Sequence, residues 1–84
     1  MAFSDVTGRV AGLLLRLADS GTDVVDGYSH QDLASMVGCL RESLTATFDR
    51  LKQTGAVATG RRRVKITDRR KLEWVVRQRS GVQA

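Results

Sequence analysis

Two amphipathic segments separated by two residues constrain this chain most. Leu33, Met36 and Val37 mark the apolar face of a helix over about residues 30–37. Leu40, Leu44, Phe48 and Leu51, spaced four, four and three apart, mark another over about 40–54. Only Gly38 and Cys39 lie between them. Ser29 is placed to cap the first of the pair, with Asp32 three residues on in a capping-box arrangement, Asp standing in for the usual Glu. Gly38 supplies a turn in which a Cβ is costly. Ala34 is small where the helices would cross, Leu33 and Val37 point inward, and Leu44 packs the second helix back onto the first. Any helical hairpin could show this spacing, so its surroundings decide the architecture.

A further helix precedes the pair, over about Asp5 to Asp19. Val6, Val10, Leu13, Leu14 and Leu17 form its stripe, and Arg9 and Arg16 fall on other faces. Ser4 is placed as its N-cap, Asp5 complements the positive helix end, and Ser20-Gly21-Thr22 stops it. Residues 21–28 read as a polar loop holding a short strand at Val24-Val25. After Gly55, the residue that closes helix 40–54, the period changes. Ala56-Val57-Ala58 and Val64-Lys65-Ile66 read as strands joined through a hairpin tip at Gly60-Arg61-Arg62-Arg63. Thr67-Asp68 then caps a last helix over roughly Arg69 to Arg79. Its face is Leu72, Val75 and Val76, Trp74 is core or partner-facing, and the last five residues read as frayed. The sum is mainly α with a small β-hairpin wing: a winged helix-turn-helix in one domain over residues 1–84, the helix-turn-helix at about 30–54 and the wing at about 56–67.

Composition removes most other functions. Eighty-four residues leave no room for a second domain or a dinucleotide-binding fold. One cysteine excludes a disulfide framework or a multi-cysteine zinc site, and one histidine excludes most histidine-based catalysis. No apolar run approaches the ~18 residues that span a membrane, and no signal peptide opens the chain, so the expected address is a reducing bacterial or nucleocytoplasmic compartment, cytoplasmic for a bacterial chain, with no membrane partner. Cys39 reads as a packing residue and Ser29 as a cap without a base to activate it. Asp19, Asp23 and Asp26 match no cation-binding loop. No catalytic residue, metal site or cofactor is expected.

Charge is informative. The formal net charge is +5. Residues 1–50 set four arginines against seven acids, a net −3, whereas residues 51–84 set ten Lys/Arg against Asp68 and Glu73, a net +8. A half that basic is either a solubilising face or a surface for a polyanion. The aromatics Phe3, Tyr28, Phe48 and Trp74 are too scattered for a base-stacking platform, which disfavours single-stranded nucleic acid. On helix 40–54, Arg41, Glu42, Thr45 and Ala46 lie off the apolar stripe in the first two turns, where a recognition helix meets base edges. Arginine can donate twice to guanine O6 and N7, and glutamate can accept from cytosine N4. The alternative is an ordinary solvated face.

Two separated segments carry a resemblance. Val6-Thr7-Gly8-Arg9-Val10-Ala11, followed by Leu14 and Leu17-Ala18, resembles the first helix of the DNA-binding domain of the Crp/Fnr family of bacterial transcription regulators. Val37-Gly38-Cys39-Leu40-Arg41-Glu42-Ser43-Leu44 resembles the family's helix-turn-helix core, V-G-x-x-R-E-[ST]-[VL]. Gln31-Asp32-Leu33-Ala34 is similar to its Q-E-[IL]-[AG], and Ala56-Val57 through Val64-Lys65-Ile66 to its wing. The likeness covers roughly residues 3–67.

The resemblance implies binding to double-stranded DNA, with helix 40–54 in the major groove. Arg41 and Glu42 match base readers. Ser43 matches a Ser/Thr near the DNA backbone, and Ser29, His30 and Gln31 match the phosphate-contacting start of the positioning helix. Val6 and Thr7, through backbone N–H groups, and Arg61 match further phosphate contacts, to which Arg50, Arg62 and Arg63 are added. Ala46 stands where many members carry a second arginine or another polar reader, and Leu40 replaces a commonly polar residue, so the preferred half-site is expected to differ. Full-length members also carry an effector-binding β-barrel and a dimerisation helix. The start at Met1-Ala2-Phe3-Ser4-Asp5 falls near the hinge between these parts and implies an excised domain, to which no effector site is assigned. For the full-length protein the resemblance implies a homodimer and a contact with RNA polymerase. The rival function is a protein-interaction winged helix contacting the transcription machinery, through the −3 half and Trp74.

Overall fold

The computed structural model describes residues 5–18 and 21–81. Its elements run α1 (Asp5–Leu17), β1 (Val24–Asp26), α2 (His30–Val37), α3 (Arg41–Thr54), β2 (Val57–Gly60), β3 (Arg63–Ile66) and α4 (Arg69–Gly81). The expected cap Ser4, the stop residue Ser20 and Asp19 lie outside the described residues. Among those described, no helix is long and apolar enough to cross a membrane.

The core follows the apolar periodicities. Val10, Leu13 and Leu14 from α1, Leu33 and Val37 from α2, Leu44, Phe48 and Leu51 from α3, and Leu72 and Val75 from α4 are all buried. Truncating one of the larger of these to Ala costs about 2–5 kcal/mol. Ala34 is fully buried, as a close crossing of α2 and α3 requires. Two residues expected on the apolar faces are not in the core. Met36 is 50% exposed and Leu40 is 69% exposed. Leu40 is the N-cap of α3, with extended backbone, so it precedes the helix instead of extending its inward stripe. Trp74 is also outward, at 44% exposure.

The wing is larger than a hairpin. β3 is the central strand of an antiparallel sheet ordered β1-β3-β2, with Val25 opposite Val64 and Val57 opposite Ile66. Those four side chains are buried, while Ala58 and Lys65 between them are exposed, the alternation of a one-sided sheet. The pairing closes at Gly60 opposite Arg63, so the tip is Arg61-Arg62, with Arg62 at φ 55. In α4, Asp68 alone supplies the cap by accepting from the N–H of Lys71 at 3.2 Å. The Thr67 hydroxyl instead donates to Gly55 O at 2.7 Å and ties the wing's exit to the end of α3. α4 continues to Gly81, two residues past its expected end at Arg79.

Candidate nucleic-acid interface

The interface is built by the turn that aims α3. The Ser29 hydroxyl accepts from the N–H of Asp32 at 3.0 Å, and the Asp32 carboxylate accepts from the N–H of Ser29 at 3.0 Å. This capping box starts α2. Its hydrogen bonds hold the Asp32 carboxyl below its ordinary 3.8: the Ser29 backbone N–H contributes most, then the Ser29 side chain, with Arg62 adding a smaller attraction. At the other end, Gly38 takes φ 85 and donates to Ala34 O at 2.8 Å, and Cys39 donates to the same carbonyl at 3.0 Å. The left-handed conformation turns the chain within two residues, as the Gly38-Cys39 spacing predicts. α2 carries no basic residue in its own last turn. Arg9, reaching across from α1, donates to Val37 O and brings the missing cation to the negative helix end.

With α3 so placed, Arg41, Glu42, Ser43, Thr45 and Ala46 are all exposed in its first two turns. Arg41 and Glu42 make no hydrogen bond or ion pair among the described residues, so both are available to a ligand. Leu40 gives the helix start no side-chain cap. Ser43 contributes its carbonyl to the Thr47 hydroxyl at 2.8 Å, which satisfies that buried side chain. Arg50 is exposed further along α3.

The residues flanking α3 are less equivalent than their charges suggest. Arg61 at the wing tip has no partner among the described residues. Arg62 lies 4.0 Å from Asp32 and donates to Gly27 O at 3.4 Å, while Arg63 pairs with Asp26 at 3.2 Å. Two of the three wing arginines therefore already face carboxylates, a neutralisation that counting charges along the sequence does not reveal. Gln31 is exposed and donates to the Ser35 hydroxyl at 3.4 Å. His30 is half-buried and shares a 3.1 Å hydrogen bond between Nδ1 and the Thr45 hydroxyl. Val6 and Thr7 sit in the first turn of α1. Thr7 is 1% exposed as a whole residue, main chain included, and Val6 is half-buried. Cys39 is a half-buried free thiol against the core. Asp23, just before β1, accepts from Arg69 at 2.9 Å.

A shallow groove of about 280 Å³ lies between α1, α2 and α4, lined in part by Gly12, Leu13, Met36 and Val76. It includes nothing from α3 or the wing.

Comparison with known proteins agrees with this geometry. Residues 8–74 match the Crp-like helix-turn-helix domain. Among solved structures, a CRP-family transcriptional regulator from Thermus thermophilus is similar with 28% identity and a TM-score of 0.76, over 88% of this chain and 41% of that one. A crp/fnr-family transcriptional regulator from Eubacterium rectale is similar with 28% identity and a TM-score of 0.78, over 88% and 34%. The catabolite activator protein of Thermus thermophilus gives 28% identity and a TM-score of 0.75, over 84% and 33%. The chain thus spans well under half the length of these relatives. No curated protein matches it. A capped positioning helix, a glycine turn, an exposed polar start to α3 and a wing beside it, over a matched region that spans most of the chain, establish that the chain belongs to the Crp-like helix-turn-helix domain family, a DNA-binding domain of Crp/Fnr transcription regulators.

Proposed function

We propose that this domain reads a specific double-stranded DNA sequence by placing the start of α3 in the major groove. The observation that carries this reading is the pair Arg41 and Glu42, exposed on the first turn of α3 and without intramolecular partners among the described residues. An unpaired arginine there can donate twice to a guanine, and the adjacent glutamate can accept from a cytosine. Thr45 and Ala46 meet the next bases. Ser29, His30 and Gln31 at the start of α2, Ser43 and Arg50 on α3, the main chain at Val6, and Arg61, Arg62 and Arg63 on the wing face phosphates. Arg61 leads among the wing residues because it has no carboxylate to give up.

In a longer protein, two such domains related by a two-fold axis would engage half-sites about 34 Å apart. A homodimer and a contact with RNA polymerase belong to that whole protein and are proposed for it alone. The test is selection of bound sequences from a pool of random duplexes at low salt. Enrichment of a short motif containing a G·C pair supports base reading. Binding without enrichment contradicts it and leaves a basic module that grips phosphates only.

A further inference from the structure

His30 and Thr45 face each other across the helix pair. His30 is the first residue of α2 and Thr45 lies one turn after Arg41 on α3. The imidazole is held from a second side, with its ring packed edge-on against Phe48 at a centroid distance of 5.0 Å and an interplanar angle of 65°. Phe48 is a core residue, so the ring is braced against a fixed surface. Nδ1 is thereby fixed 3.1 Å from the Thr45 hydroxyl.

A helical threonine ordinarily divides between two rotamers, one of which bonds a carbonyl one turn back. Thr47 does that, donating to Ser43 O. Thr45 turns its hydroxyl to His30 instead. The γ-methyl, on the same tetrahedral Cβ, takes a different direction from the hydroxyl. Thr45 is exposed, and the neighbouring exposed Ala46 carries only a methyl.

We infer that His30 is a positioning residue for base recognition: by engaging the Thr45 hydroxyl it leaves the Thr45 methyl group, beside the small Ala46, to read a thymine through its C5-methyl, next to the bases read by Arg41 and Glu42. The inference rests on the proposed placement of α3 in the major groove. It assigns a base class to the two positions of that face that lack a charged reader. An apolar pair there offers nothing to the exocyclic amines of adenine or cytosine, while thymine presents a methyl group in the major groove.

The test uses the duplex motif selected by the wild-type chain, with deoxyuridine substituted for each thymine in turn, a change that removes the C5-methyl alone. At one position the wild type is expected to lose about fourfold in affinity, the worth of one buried methyl. Thr45→Val, which keeps the methyl and drops the hydroxyl, retains that loss. Thr45→Ser, which does the reverse, binds both duplexes equally. His30→Phe keeps a ring against Phe48 but removes Nδ1, and is expected to reduce the thymine-over-deoxyuridine ratio; loss of its phosphate contact lowers affinity for both duplexes alike and leaves that ratio unmoved. Equal wild-type binding to all the deoxyuridine duplexes, or a thymine preference retained in Thr45→Ser, overturns the inference while leaving base reading by Arg41 and Glu42 intact. Failure of the wild type to select any motif overturns both.

Discussion

Arg9 of α1 donates from its guanidinium to the carbonyl of Val37, the last residue of α2. The contact joins residues 28 positions apart at the point where the chain turns into α3. It couples the packing of α1 to the aim of α3. A charged donor on a helix C-terminus satisfies an orphan carbonyl and complements the helix dipole. Arg9→Ala is expected to destabilise the domain by about 1–2 kcal/mol in chemical denaturation. No loss of stability would show the contact to be incidental.

Gly38 carries the turn itself. At φ 85 an L side chain is strained, although an added Cβ would make only an ordinary contact with Arg9 Nη2 at 3.5 Å. Gly38→Ala is expected to cost roughly 1–2 kcal/mol, the penalty of a left-handed conformation. Denaturant midpoints of the two proteins measure it.

Leu40 is the opposite case, a position where the native residue is not the stabilising one. It caps α3 without a side-chain acceptor and is largely exposed. Leu40→Ser adds an acceptor for the first-turn N–H groups and removes little packing. It is expected to raise stability by about 0.5–1 kcal/mol. An unchanged or lowered midpoint would mean that the leucine packs in solution.

Asp32 makes the fold sensitive to acid. Its carboxyl is held below 3.8, first by the backbone N–H of Ser29. A carboxylate with a depressed folded-state value contributes stability above its unfolded value and loses it as pH falls through the folded one. Stability should therefore decline as pH drops below about 3.8. Asp32→Asn should be less stable at neutral pH and flatter through that window. Parallel acid profiles of the two proteins would contradict this.

How much of this was legible in the sequence depended on how local the cause was. The Ser29–Asp32 box, the Gly38 and Gly55 turns and the Asp68 cap each rest on residues within three or four positions, and the sequence pattern places all of them. Met36 and Leu40 were misplaced because periodicity continues a stripe past the point where a helix face or end leaves the core. β1 offered only two valines as a signal, since its partner β3 lies some forty residues on. The pairing of Arg62 with Asp32 and Arg63 with Asp26 and the bond between His30 and Thr45 likewise join distant segments, so no spacing rule announces them.

Those pairings separate the wing arginines. Removing one phosphate contact lowers the slope of log affinity against log salt by about 0.9. Arg61→Ala is expected to show that drop on every duplex alike. Asp26→Asn, which frees Arg63, is expected to strengthen binding. Titrations of one duplex at several salt concentrations compare them. An unchanged slope for Arg61→Ala would remove Arg61 from the interface.

Base reading by the first turn of α3 rests on Arg41. The most direct measurement compares wild type and Arg41→Ala on the selected site and on duplexes with each base pair changed singly. The wild type is expected to discriminate at a G·C pair by about 1–3 kcal/mol, and Arg41→Ala to lose discrimination at that pair alone. Equal loss of affinity on every duplex, with the preference at each position preserved, would contradict it.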